Sequence, residues 1–153
     1  MRKYFQSVMR PAAYHGTKKN APFFEGWYFK LVDANNQHGY AVIPGIYKHK
    51  DPQKATAFIM FLDGQREKAH YFTFPPEQFR ASATDFQTQV GGSVFSAETL
   101  TLNLPTVTGQ LTFKNSVEWP ITRRSPGIMG WYAYVPMECY HGIVSLDHTI
   151  SGQ

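Results

Sequence analysis

Apolar and polar residues alternate with a period of two through much of the chain, and no long stretch places apolar residues at i, i+3, i+4 and i+7. Leu100, Leu102 and Leu104 alternate with Thr99, Thr101 and Asn103, the pattern of a strand with one buried and one wet face. Val107, Leu111 and Phe113 repeat it after the break at Pro105. Gly26 to Asp33 reads as an aromatic-led strand ending at Asn35–Asn36. Tyr40 to Tyr47 is a second strand, and its Pro44–Gly45 pair predicts a bulge or an edge position. Ala55 to Leu62 is an almost wholly apolar strand. Asp63–Gly64 then predicts a tight hairpin turn into Lys68 to Phe74, which Pro75–Pro76 ends. Asp85 to Val90 leads into a Gly91–Gly92 hairpin. Pro120 to Gly127 reads as a loop carrying Arg123–Arg124, with Ile128 to Val135 and Glu138 to His148 as the last two strands. Helical turns are expected only around Pro76 to Phe79.

About eight to ten strands joined by short turns predict an all-β antiparallel meander, closed as a barrel or folded as a sandwich. Closure is favoured because it removes sheet edges. A barrel of about eight strands holds one small ligand in its lumen. The 153 residues fit one domain.

Composition sharpens the expected ligand. Aromatic residues make up 16% of the chain, as 12 Phe, 9 Tyr and 3 Trp. Such rings line apolar pockets and favour strands. Charged residues are 17% against 42% hydrophobic, which argues against disorder. The apolar run Phe58 to Leu62 is strand-sized, far below the ~18 to 20 residues of a membrane helix. One cysteine, Cys139, excludes an internal disulfide framework and is expected to behave as a small buried hydrophobe.

The net charge of +4 is unevenly placed. Arg2, Lys3, Arg10, Lys18 and Lys19 all precede Glu25, the first acidic residue. Without those five, 10 of the 15 Lys and Arg face 11 Asp and Glu. Residues 1–22 therefore read as a basic segment ahead of a β-domain over 23–153. That segment is either a solvated, partly ordered terminus or a weak contact for a membrane surface. It lacks a hydrophobic signal core, so the expected compartment is the cytoplasm. No nucleic-acid partner is expected.

Phosphate-loop, dinucleotide, zinc-protease and nucleophile-elbow motifs are all missing. Two ring-rich segments hold polar groups instead. In Phe23-Phe24-Glu25-Gly26-Trp27-Tyr28-Phe29-Lys30, strand geometry puts Glu25, Trp27 and Phe29 on one face and Phe24, Gly26, Tyr28 and Lys30 on the other. A carboxyl group among rings is desolvated, which raises its pKa and suits it to donate a proton. The alternative is a Glu held by Lys30, an Arg or backbone N–H groups that only orders the fold. The second segment runs from Ser125 to His148. As a strand it places His141, Ser145 and Asp147 on one face and Glu138, Tyr140 and His148 on the other. Glu138, Tyr140 and His148 are acid–base candidates. His141 and His148, on opposite faces, cannot clamp one metal ion as a pair, and no metal is expected.

At these two segments the sequence resembles the tocopherol cyclase family, including its bacterial tocopherol cyclase-like members. Tyr14-His15-Gly16 followed by Phe23 to Lys30 is similar to that family's N-terminal signature, and Ser125 to His148 to a second one. The resemblance spans the whole chain and corresponds to the N-terminal half of the family's usual length. It implies a lipocalin-like β-barrel, complete or incomplete in this chain, and a cofactor-free reaction. An alkene of a prenylated hydroquinone is protonated, and the phenol oxygen captures the cation to form a chromanol. The catalytic candidates are Glu25 as acid, Tyr28 and Tyr140 to position the phenol, and Glu138 and His141. Phe24, Trp27, Phe29, Trp131, Tyr132 and Tyr134 are candidates to bind the substrate. Two further readings stand beside catalysis: a non-catalytic module that holds a hydrophobic quinone, isoprenoid or fatty ligand, and a half-barrel completed by pairing with another copy.

Overall fold

The computed structural model describes residues 8–135, 137 and 139–153. The chain folds as two antiparallel sheets. The first contains β1 (Phe23–Gly26), β2 (Phe29–Val32), β3 (Gly39–Lys48), β4 (Thr56–Asp63) and β5 (Lys68–Phe74). The second contains β6 (Phe79–Ala81), β7 (Gln87–Val90), β8 (Ser93–Ser96), β9 (Thr99–Asn103), β10 (Thr108–Val117) and β11 (Asp147–Gly152). The second sheet is a plain meander in the order β11-β10-β9-β8-β7-β6. The all-β antiparallel architecture thus agrees with the hydrophobic pattern.

Neither sheet closes on itself among the described residues. The first sheet ends at β5, where Pro75–Pro76 and a 3-10 turn at Pro76–Gln78 lead the chain into β6 of the second. Proline offers no N–H to a ladder, so the hydrogen bonding stops at this crossing. The sheets share one core instead. Val42, Ile46, Ala57, Ile59 and Phe61 from the first meet Val90, Phe95, Leu100, Leu102 and Phe113 from the second. Val42, Ile59, Val90 and Phe95 are fully enclosed.

Pro44 occupies the middle of β3, not a bulge or an edge. β3 is flanked by β4 on one side and by β1 and β2 on the other. The Pro44 carbonyl accepts from Trp27 N–H at 3.0 Å. In an antiparallel ladder the N and O of one residue point the same way, so the missing N–H of Pro44 faces Trp27. The strand predicted from Gly26 onward is interrupted there, at Trp27–Tyr28, and resumes as β2 in the same register.

The predicted strands Ile128 to Val135 and Glu138 to His148 do not form. Gly130–Tyr134 is a 3-10 helix, the described residues between Val135 and Asp147 are irregular, and β11 begins only at Asp147. Gly127 (φ 107°) and Gly130 (φ 59°) take positive φ, outside the extended region of a regular strand. The face assignments for His141, Ser145 and Asp147 therefore lapse, and Glu138 lies outside the described residues. Cys139 is exposed, not buried.

Residues before β1 pack on the body. Ala13 is buried, and Tyr14 N–H donates to Ser82 O at 2.9 Å. A membrane-length apolar helix is missing among the described residues.

Candidate functional site

β1 and β2 bear out the predicted alternation. Phe23, Glu25, Trp27, Phe29 and Leu31 face inward, while Phe24, Gly26, Tyr28 and Lys30 face solvent. The inward rings form a continuous row. Phe23 meets Tyr14 at 6.3 Å between centroids, and Tyr14 meets Phe79 at 5.2 Å. Trp27 stacks on Phe86 at 5.6 Å, and Phe86 on Phe29 at 5.7 Å. Phe29 reaches Phe113 at 5.9 Å, and Phe113 meets the His148 ring edge-on at 4.8 Å. The Trp27 indole N–H donates to Ala12 O at 3.0 Å, which fixes the ring under the residues before β1.

Glu25 stands at one end of this row. Its Oε1 lies 2.9 Å from His15 Nδ1, and its Oε2 accepts from His15 backbone N–H at 3.0 Å. The two side chains are 16% and 30% exposed respectively. When Nδ1 carries its proton, it donates to Oε1. Lys30 is on the opposite face and takes no part. Of the sequence alternatives for Glu25, backbone N–H contact is present, joined by an imidazole that the pattern did not supply.

Tyr14 and Lys48 complete the cluster. Burial, and secondarily the negative charge of Glu25, push the Tyr14 phenol up to about 12. Lys48 Nζ donates to Gly16 O at 2.5 Å and lies 5.9 Å from the Tyr14 ring centroid and 5.8 Å from that of Phe23. Lys48 arrives because β3 pairs Lys48 with Phe23. Tyr14 and His15 belong to the quoted signature, but Lys48 had no signal in the pattern, since β1 and β3 are not consecutive strands.

A cleft of about 210 Å³ adjoins the ring row. Met9, Ala12, Phe86, Trp119, Ile121 and Val144 line it, with Arg10 and Glu118 among its polar groups. Neither Glu25 nor His15 lines it. A larger groove of about 570 Å³ runs along Pro52, Lys54, Phe74 and Glu77 and contains none of the predicted site residues.

The remaining candidates are dispersed. Phe24, 63% exposed, stacks on Phe58 on the outer face of the first sheet, and Tyr28 is 65% exposed. Trp131 and Tyr132 stack on each other at 4.2 Å on the surface. Tyr134 Oη donates to Arg123 O at 2.8 Å and lies 3.8 Å from Met9 Sδ. Tyr140 Oη donates to Val135 O at 2.8 Å. His141 is exposed, its N–H 3.3 Å from Met129 Sδ. The second signature reaches the residues before β1 through Met9, which Tyr134 touches, and through Pro11, against which Gly142 packs, and it reaches Phe29 through the Phe113–His148 contact. A cluster of three or more metal-ligating side chains is missing among the described residues.

Glu25, Trp27 and Phe29 are thus the predicted site residues that the fold gathers, with Tyr14, His15 and Lys48 added. No protein-family model, curated protein or solved structure matches the chain.

Proposed function

We propose that the chain is a tocopherol cyclase-like protein that takes a prenylated hydroquinone and closes it to a chromanol without a cofactor. The supporting observation is the Glu25–His15 pair, a carboxylate 2.9 Å from an imidazole at the end of a row of rings. In this reading Glu25 stabilises a proton on His15 instead of donating one itself as a neutral acid. With Nδ1–H held by Glu25, the imidazolium delivers its Nε2 proton to the alkene. The tertiary cation is captured by the phenol oxygen, and the phenol proton returns to the pair, so the step is balanced. Rings away from Lys48, such as Trp27 and Phe86, favour the cation by about 2 kcal/mol for each desolvated contact. The lipocalin-like barrel belongs to the same reading. It is the form the two open sheets take when further strands, or a second copy, pair their edges.

Incubation of the protein with a prenylated hydroquinone in D2O is the test. One deuterium is expected in a chromanol of unchanged heavy-atom composition. Glu25→Gln and His15→Ala are expected to abolish it while circular dichroism stays native. Full turnover in both variants would remove the pair from the mechanism.

Binding without turnover is a second reading, favoured by the position of the cleft. It opens against Phe86 and Trp119, and the acid–base pair does not line it. Its volume is below the roughly 300 to 1,000 Å³ of ordinary ligand pockets, enough for one part of a prenylated molecule. Quenching of tryptophan fluorescence by a prenylated quinone, with no chromanol in the mass spectrum, would select this reading.

A further inference from the structure

The loop from Trp119 to Val135 combines two arginines with exposed apolar groups and contains no acidic residue. Arg123 and Arg124 sit exposed at the tip of a small hairpin closed by an Ile121–Pro126 bridge. Among the described residues neither has an ion pair. Ile121, Ile128 and Val135 are exposed, Trp131 is 61% exposed and Tyr132 54%. The Tyr134 hydrogen bond to Arg123 O ties the cationic tip to the 3-10 helix that carries Trp131 and Tyr132.

We propose that this loop docks the protein on an anionic lipid surface. Trp and Tyr combine an apolar ring with a polar handle and settle at the boundary between hydrocarbon and headgroups. The arginines supply charge complementarity to phosphate headgroups. Position adds a second argument: Ile121 belongs to both the loop and the cleft, and Met9, in the cleft wall, touches Tyr134 of the loop. A lipid-soluble ligand leaving the bilayer at this loop meets the cleft mouth without crossing water. Docking needs no turnover, so it stands or falls apart from the cyclase reading.

The experiment is flotation of the intact protein with two kinds of vesicle, phosphatidylcholine alone and phosphatidylcholine with about one third phosphatidylglycerol. Binding to the anionic vesicles is expected, with a blue shift of tryptophan emission. Arg123→Gln/Arg124→Gln, which alters only exposed side chains, is expected to weaken binding by about tenfold or more. Trp131→Ala/Tyr132→Ala is expected to remove the blue shift. Wild-type protein that stays unbound would overturn the proposal. So would binding unchanged in the arginine variant, or a wild-type dimer that both variants turn into monomers, which would make the loop an interface between copies. Turnover or ligand quenching measured in detergent micelles reads the cyclase proposal separately.

Discussion

His15 Nδ1 and Glu25 Oε1 are 2.9 Å apart, and the same histidine offers its backbone N–H to the other carboxylate oxygen at 3.0 Å. One residue thus satisfies both oxygens of a largely buried acid and pins residues before β1 onto that strand. Hydrogen bonds to a charged group contribute about 1.5 to 3 kcal/mol each when partly shielded from water. Glu25→Gln keeps the volume but offers only one acceptor oxygen. Urea denaturation is expected to show a loss of about 1 to 3 kcal/mol. In His15→Ala the backbone contact survives, so its loss should be smaller. Equal stability of Glu25→Gln and wild type would mean that the pair contributes nothing to folding.

Tyr14 gives a pH signature on the alkaline side. Its phenol titrates at about 12 in the fold instead of 10.0, because burial and the charge of Glu25 both oppose the phenolate. A raised folded value means that the contribution is complete below the unfolded value and is lost as pH rises through the folded one. Wild-type stability should therefore fall between about pH 10 and pH 12 more steeply than that of Tyr14→Phe. Parallel curves for the two proteins would show that Tyr14 ionises as freely in the fold as in the unfolded chain.

The legibility of the site follows from the same physics. Glu25, Trp27 and Phe29 were readable as one face because strand geometry alternates whatever the strand pairs with. Their partners were not. His15 comes from a segment whose charge reads as a solvated leader, and Lys48 comes across a pairing that skips a strand. At Trp131 and Tyr132 the period-two reading fails because Gly127 and Gly130 put the backbone outside the extended region. Ring density there marks a surface loop and not a strand. Pro44 shows the opposite case. A residue that argues for an edge is held in a central strand because its neighbour skips the bond that proline cannot make.

Gly45 tests the outer face of the first sheet. Phe58 is buried although it points away from the shared core. Its ring stacks on Phe24 at 5.8 Å and on Tyr71 at 5.4 Å. A Cβ on Gly45 would collide with Phe58 Cζ and come within 2.7 Å of Glu25 O. Gly45→Ala should cost about 1 to 3 kcal/mol by overpacking. Part of that cost is due to the ring, so Phe58→Leu/Gly45→Ala should be less destabilised than the sum of its single variants. Strict additivity in a double-mutant cycle would place the strain wholly at the Glu25 backbone.

Asp63 gives an acid-side counterpart. The carboxylate accepts from Arg66 N–H at 3.0 Å and Gln65 N–H at 3.1 Å in the β4–β5 turn, and Arg66 Nη1 lies 3.1 Å from Oδ2. The backbone bond from Arg66, with its guanidinium, holds the acid below its ordinary value of 3.8. A lowered folded value contributes stability above the unfolded value and loses it as pH falls through the folded one. The stability gap between wild type and Asp63→Asn should narrow below about pH 4. A gap that is constant from neutral to acid pH would assign the effect to the turn geometry and not to the charge.

Thr88 carries the last expectation. It is 2% exposed on β7, between Ala81 and Phe95 in the ladder, and its hydroxyl has no hydrogen-bond partner among the described residues. A buried hydroxyl without a partner costs about 1 to 3 kcal/mol relative to water. Valine has nearly the same shape and replaces that hydroxyl with a methyl group, so Thr88→Val should raise stability by about 1 kcal/mol. Thr88→Ser keeps the orphan oxygen and removes a packed methyl, so it should lower stability by a similar amount. The two substitutions must move the midpoint of urea unfolding in opposite directions. If both lower it, the hydroxyl is bonded in solution to a water held between the sheets, and the core there is wetter than its packing indicates.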